Sequence, residues 1–546
     1  MKKTATVTKP AKTKEPRQGR KRQPNPLLAV LQNMDEDTVA MLRQMMQDEL
    51  GIEPDMSAPK DAVDLFARFL RLCGQSETDD DDMASLSQEL TVELGDLRVS
   101  SNGGDRDARE KMQAIYDLLD DAIESRAMGP IDMMMTGRIL ADAEWVVPDS
   151  LKQALIEATR ATSPGKQGDV IGDLVSTLLE VAEQTDQNPF EVHGYMNSFM
   201  ASFPAEANAT LLCELGGAKE SVIAQAIAGF VLHPDSLLAQ SAADALAASA
   251  KQAPVESSLI ERLIRMRPWL PQSRQAQLDT TIRAMRSNAL PPVKSEPPKL
   301  IKCYLSICDG SGTRSFLATQ RSGPRYQIAT IMMKPAGVAD AMILPALAKS
   351  DLDDIVRQMK SNVPLMEADL AGVTRMLELA IAENVASGAL PPFKLVEVVE
   401  SLGLGPIHPN PASPLEIIEG LLSDLPPEQT SRAVAAKAHR DALLNEFKYQ
   451  WFEAGEELED LLYPVKGSKQ RVASLLTAYL PHRRAFWARQ CAISALAMHG
   501  DKKARLLPWK QLALVGRDIA SDMLMDQIPL MRQVAEGSVR AFERRG

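Results

Sequence analysis

Prolines recur at nearly regular intervals in the middle of the sequence, each at the start of an amphipathic stretch. They are Pro148, Pro189, Pro234 and Pro271, spaced 41, 45 and 37 residues apart. Proline is favoured in the first turn of a helix, because the backbone donor it lacks is one that the helix does not use. A helix start about every 40 residues predicts repeating helix pairs. One pair cannot bury its apolar face alone, so neighbouring pairs must stack.

Apolar residues in this region follow helical spacing. Over 219–233 and 236–250 they recur every three or four residues, which is the pattern of a helix with one buried face. The segments HPDSL at 233–237 and AADAL at 242–246 together resemble the second half of a HEAT repeat. The resemblance covers about residues 145–290. It implies an α-solenoid of stacked helix pairs, a fold that often serves as a scaffold for partners.

A small group of strands is expected after the helical region. Residues 291–299 contain four prolines and predict an extended linker. The segments 300–307, 313–320 and 325–333 then alternate in polarity like strands, with the turn sequences DGSG and RSGP between them. The sequence therefore predicts a three-stranded antiparallel meander. Because so few strands are marginal alone, we expect a helix over 338–347 to cover one face.

The expected fold class is mainly α, with a HEAT-like helical-repeat array, a small three-stranded antiparallel β insert and a C-terminal helical domain. The predicted divisions follow in chain order. They are a disordered basic tail at 1–25, an acidic helical segment at 26–127 with a loop at 74–83, HEAT-like repeats at 128–290, the proline-rich linker at 291–299, the β-meander plus helix at 300–347, a helical domain at 348–464 and basic C-terminal helices at 465–546.

Composition excludes several classes of protein. The 546 residues are 45% apolar with a net charge of −12, which excludes a wholly disordered chain. No uncharged apolar run of about 18 residues is present, so no membrane span is expected. Five cysteines exclude a disulfide scaffold and predict a cytoplasmic protein. The G-x-S-x-G, H-E-x-x-H, C-x-x-C, Walker and Rossmann patterns are missing, so the sequence predicts no catalytic residue, metal site or cofactor.

Charge is unevenly distributed along the chain. Residues 1–25 carry nine Lys or Arg and one Glu, and they predict a tail that either keeps the protein soluble or contacts phosphates. The run Asp79–Asp82 is predicted to lie in a loop, because like charges repel each other. It lacks the D-x-D-x-D-G spacing of a calcium-binding loop.

Residues 466–517 contain eleven Lys or Arg and one acid, Asp501. A basic face with aromatic side chains can bind phosphates and stack on bases, whereas the same charges can pair with acids of the chain or of a partner protein. Both interpretations stay open at this point. The candidate polyanion-binding residues are Lys466, Lys469, Arg471, Arg483, Arg484, Trp487, Arg489, Lys502, Lys503, Arg505 and Lys510.

These observations predict a non-enzymatic helical-repeat scaffold that mediates macromolecular interaction, chiefly with a protein partner. The first alternative is a protein that binds nucleic acid or another polyanion through the basic segment and the N-terminal tail. An enzyme of unknown class is the lesser alternative, because catalytic residues can be far apart in sequence. No membrane partner is expected.

Overall fold

The computed structural model describes residues 61–73, 80–102, 105–162, 167–292, 296–438, 451–501 and 508–545. The predicted tail at 1–25 lies outside them, as do residues 74–79 of the predicted acidic loop. The rest of that loop prediction is wrong, because residues 80–83 belong to a helix. Acidic residues are favoured in the first helical turn, where they interact well with the helix dipole.

The first described helices pack into a bundle with its own core. They are α1 (Ala62–Leu72), α2 (Asp80–Asn102), α3 (Arg106–Glu124), α4 (Pro130–Asp142) and α5 (Asp149–Thr162). The bundle core contains Phe66, Phe69 and Ile115. Trp145 fixes the chain after α4, because its indole Nε1 donates to the carbonyl of Leu94 at 2.8 Å.

The next seven helices cover residues 167–286 of the predicted repeat region at 128–290, whose first part instead contributes α4 and α5 to the bundle. They are α6 (Gln167–Gln184), α7 (Pro189–Met200), α8 (Ala205–Leu215), α9 (Ser221–Ile227), α10 (Ser236–Gln252), α11 (Ser257–Met266) and α12 (Gln272–Arg286). Short 3₁₀ turns extend α9 and α11. The four recurring prolines lie at helix starts as predicted, since α5, α7, α10 and α12 each begin at or within two residues of one.

Alternate helices of this region lie side by side in two rows. The outer row is α6, α8, α10 and α12, and each contacts the next. The inner row is α7, α9 and α11, joined through the 3₁₀ turn after α9. Small residues set the spacing of the outer row: a Cβ added at Gly216 would lie 2.8 Å from the carbonyl oxygen of Ala245. Thr281 of α12 donates to the carbonyl of Ala243 of α10 at 3.2 Å. We call the two rows the array.

The sheet has five antiparallel strands rather than three. They are β1 (Lys299–Ser306), β2 (Arg314–Ser322), β3 (Arg325–Lys334), β4 (Gly337–Leu347) and β5 (Leu365–Ala368), in the spatial order β4-β3-β2-β1-β5. The first three are the predicted ones. The predicted helix at 338–347 is wrong, because this segment is β4. A short apolar run fits either element, and pairing along β3 decides for the strand.

Helices cover both faces of the sheet. Helix α13 (Lys349–Asn362) packs on one face, where Leu352 meets Tyr304 and Leu317. On the other face lie α14 (Leu370–Ser387), α15 (Lys394–Ser401) and a helix of the C-terminal part, Arg484–His499. Apolar side chains of the array, the sheet and the C-terminal helices form one continuous core cluster.

The remaining helices form the C-terminal part. They are α16 (Pro414–Leu422), α17 (Arg432–Ala438), α18 (Glu456–Leu462), α19 (Ser468–Ser474), α20 (Arg484–His499), α21 (Trp509–Ala520) and α22 (Pro529–Arg545). Helix α20 packs against α21, α16 and the sheet, so it lies at the centre of this part. None of the described helices combines the length and the apolar character that crossing a bilayer requires.

Candidate functional site

The structure describes eight of the eleven candidate polyanion-binding residues. Lys502, Lys503 and Arg505 lie outside the described residues. Lys466 and Lys469 are exposed beside the start of α19. The other six make contacts within the chain, as follows.

Two of the six converge on one buried carboxylate. Glu453 is only 6% exposed, and its Oε1 accepts hydrogen bonds from Arg483 Nε and from Trp487 Nε1, both at 2.8 Å. Trp487 is fully buried. A buried charge is tolerated when it is paired and hydrogen-bonded, which Glu453 is. Arg483 and Trp487 therefore pair with the buried Glu453, while the Arg483 side chain stays 37% exposed.

The remaining bases also contact parts of their own chain. Arg484 donates to the carbonyls of Ile519 and Met523, at 2.6 and 2.8 Å, and so caps the C-terminal end of α21. Arg471 pairs with Glu543 at 2.9 Å. Hydrogen bonds from Ser468 and Arg471 lower the pKa of the Glu543 carboxyl. Lys510 donates to the side-chain oxygen of Gln429 at 2.9 Å and lies over the ring of Trp509.

Arg489 belongs to a triad that sequence reasoning did not find. The carboxylate of Glu383 on α14 accepts from Arg489 on α20 and from Arg314 on β2, the latter at 2.6 Å. Arg314 and Glu383 are 3% and 10% exposed. The triad therefore joins the sheet, α14 and α20 in a poorly solvated environment. Sequence could not reveal it, because its members are 69 and 106 residues apart.

A surface cleft of about 410 Å³ lies between α14, α16, α20 and the loop before α16. Four large apolar side chains, all buried, form its floor: Leu379, Ile417, Leu421 and Leu496. Five polar residues, all exposed, form its rim: Arg375, Asn410, Glu416, Asp424 and His499. Gly420 and Ala412 complete the lining. The cleft was not evident from the sequence, because its walls come from three segments that lie far apart along the chain, at 375–379, 410–424 and 496–499.

Local structure fixes the charges at the rim of the cleft. Glu416 forms a capping box with Ser413, and the hydrogen bond from the Ser413 backbone N–H lowers the pKa of Glu416. The glutamate therefore keeps its negative charge. Burial and the nearby Arg375 lower the pKa of His499, whereas Asp424 raises it. The His499 ring also meets Trp509 edge-on, with 4.6 Å between ring centroids.

The inner row of the array is covered by the chain itself. Phe190 on α7 packs against Phe393, the residue before α15, with ring centroids 4.6 Å apart. Lys394 pairs with Glu191 at 2.9 Å. The indole of Trp269 donates to the carbonyl of Ile407 at 3.0 Å. This side of the array is therefore an internal interface with the segment that includes α15.

Comparisons with known proteins match parts of this chain. Residues 204–289 match the Y4lR second domain family, and residues 415–543 match the Y4lR C-terminal helical domain family. The chain is similar to the uncharacterized protein y4lR of Sinorhizobium fredii (strain NBRC 101917 / NGR234), at 23% identity over 381 residues. That alignment covers 67% of this chain and 71% of the relative. No solved structure matches.

The two matched domains correspond to parts of the array and to most of the C-terminal helices. The first spans α8 to α12 of the array, and the second spans α16 to α22. Most of the cleft lining, from Glu416 to His499, falls in the second. In the described part of the chain, no group of three or more His, Cys, Asp or Glu side chains could hold a metal ion.

Proposed function

We propose that this chain is a non-enzymatic scaffold that binds a protein partner through the array. The observation that carries the proposal is the alternation of contacts, in which α8, α10 and α12 lie side by side. That is how stacked helix pairs build an extended surface. The HEAT-like segment at 233–246 supports the same interpretation.

The outer row is the surface that we assign to the partner, because the chain itself covers the inner row. Small or uncharged side chains are exposed along α8, α10 and α12, and they include Thr210, Cys213, Gln240, Ala248, Ala276 and Thr280. Charged side chains of both signs are exposed among them, namely Glu206, Glu214, Asp244, Lys251, Arg283 and Arg286. None of the five cysteines forms a disulfide bond in the described structure. This fits the reducing cytoplasm, where we place the protein.

A binding experiment tests the surface assignment. The full chain, purified from its native host and crosslinked chemically, should carry a stoichiometric protein attached at or near Lys251, which is exposed on α10. Introducing two arginines by Ala248→Arg and Ala276→Arg should lower the yield of complex about tenfold, because unpaired charges oppose desolvation. Ala473→Arg, at an exposed helical position outside the array, is the matched control. A chain that stays without a partner contradicts the scaffold proposal.

Polyanion binding is the second candidate, and the exposure of Lys466 and Lys469 favours it. Binding to DNA or RNA at about 50 mM salt should then be measurable and should weaken steeply as salt is added. The double variant Lys466→Glu and Lys469→Glu should weaken that binding without altering the melting temperature. The absence of binding by the wild type removes this candidate, and equal binding by the double variant shows that these two lysines do not contribute to it.

A further inference from the structure

The cleft between α14, α16 and α20 has the layout of a docking site, with apolar side chains at its floor and charged groups only at its rim. We propose that it binds a peptide segment of the partner protein, in which an apolar side chain lies next to a lysine or arginine. This inference rests on the proposed scaffold function. It adds a second contact site, apart from the outer row of the array, and states the chemistry of the segment that occupies it.

The arrangement of polar groups favours a peptide over a small molecule. Sites for small ligands hold polar groups at fixed positions inside the pocket, where they orient the bound molecule. Here the floor offers no such group, because its four large side chains are Leu379, Ile417, Leu421 and Leu496. An apolar centre with an exposed polar rim is the layout of a protein interface. The floor therefore buries the apolar side chain of the peptide, and the charged rim selects among peptides by the charge of the neighbouring residue.

The charges at the rim favour a cationic neighbour to the apolar side chain. Glu416 at the start of α16 and Asp424 just after its end both line the cleft. Arg375 on α14 is the cation of the rim, and His499 is mainly neutral at neutral pH because its pKa is lowered. The rim thus carries a net charge of about −1. A lysine or arginine beside Glu416 or Asp424 gains attraction, whereas a glutamate is repelled.

Gly420 offers a way to block the cleft without damaging the fold. It lies in α16 and lines the cleft, and a Cβ built on it has no heavy atom within 4 Å. The side chain introduced by Gly420→Leu therefore projects into open space. Leucine is also a better helix former than glycine, so the melting temperature should not fall. Gly95→Leu in α2, where the space around an added Cβ is equally open, is the matched control.

The test measures fluorescence anisotropy of two labelled heptapeptides, KLLKLLK and ELLELLE, with the full chain. The wild type should bind the lysine peptide with a dissociation constant below about 1 mM and bind the glutamate peptide at least fivefold more weakly, by about 1 kcal/mol. Gly420→Leu should weaken binding of the lysine peptide about tenfold, and Gly95→Leu should leave it unchanged. Asp424→Lys should weaken it about fivefold. Glu419→Lys, at an exposed position of α16 that does not line the cleft, should have no effect.

The outcomes separate this inference from the scaffold function. Equal binding of the two peptides, equal effects of Asp424→Lys and Glu419→Lys, or unchanged binding by Gly420→Leu overturns the docking site. If the crosslinked native complex persists in that case, the scaffold function stands and only the cleft assignment fails. Selective binding of the lysine peptide that is lost in Gly420→Leu supports the cleft, whatever the array variants show.

Discussion

The guanidinium of Arg262 on α11 donates from Nε and Nη2 to the two carboxylate oxygens of Glu400 on α15, at 3.0 and 3.1 Å. This paired geometry joins the array to the helix that follows the sheet, 138 residues further along the chain. The same guanidinium lies over the ring of Phe190, 4.7 Å from its centroid. Arg262 therefore contacts both sides of the seam that covers the inner row.

Removing the arginine of this pair should destabilise the protein. In Arg262→Met the carboxylate of Glu400 loses its partner while it stays partly buried, and the free energy of unfolding should fall by about 1.5–3 kcal/mol. Glu400→Gln should cost less, because an amide still accepts a hydrogen bond. Urea denaturation of both single variants and the double variant measures the coupling, for which we expect about 1 kcal/mol. Arg286→Met, at an exposed position of α12, is the control and should change little.

Acid should weaken the same seam through His193. Its ring lies 4.6 Å from that of Phe230 and 5.0 Å from that of Phe393, and burial lowers its pKa from 6.5 to about 4. Between about pH 6.5 and pH 4, His193 is therefore protonated in the unfolded chain and neutral in the folded chain. The contribution of the neutral ring to the free energy of unfolding is fully present above about pH 6.5. It is lost as the pH falls toward 4, and the total loss is no more than about 3 kcal/mol.

A variant without a titratable ring isolates this effect. His193→Phe should show a shallower loss of stability between pH 6.5 and 4 than the wild type, measured by urea denaturation across that interval. The comparison is between the slopes of the free energy of unfolding against pH, so a lower absolute stability of the variant does not affect it. Identical slopes would assign the acid sensitivity to other groups.

Breaking the buried triad at Glu383 should cost far more stability than breaking an exposed ion pair. In Glu383→Gln, Arg314 and Arg489 lose their common carboxylate, and two guanidinium groups are left poorly solvated. We expect a loss of about 3–5 kcal/mol in thermal or chemical denaturation. Asp353→Asn, which breaks the exposed pair with Lys349, is the matched control and should leave the melting temperature unchanged. Equal effects of the two variants would contradict the importance we give to burial.

Local signals in the sequence predicted local structure well. Pro189 and Pro234 marked helix starts, because the first helical turn accepts proline. The strands β1 to β3 were predictable, because glycine-containing turns bound each alternating run. The segment of β4 carries no such signal. Its apolar side chains fit a helix or a strand equally, and only pairing with β3 decides between them.

Pairing of distant residues could not be predicted in the same way. The high positive charge of 466–517 was evident, but the identity of its partners was not. Glu453 and Glu383 lie 30 and 106 positions from the arginines that they bind, and each sequence separation is compatible with many folds. The cleft is unpredictable for the same reason, because Arg375 and His499 meet only after the helices have packed.

Two glycines should respond oppositely to the same substitution. Gly216→Ala places a methyl group 2.8 Å from the carbonyl oxygen and 2.9 Å from the Cα of Ala245, and neither backbone atom can yield without separating α8 from α10. We expect a loss of about 1–3 kcal/mol from this overpacking. Gly420→Ala meets nothing within 4 Å and should gain about 0.5–1 kcal/mol from better helix propensity. Urea denaturation should show these shifts in midpoint with unchanged m values. If Gly216→Ala were as stable as the wild type, close approach of α8 and α10 would not be what holds the outer row together, and the stacking on which partner binding depends would need another cause.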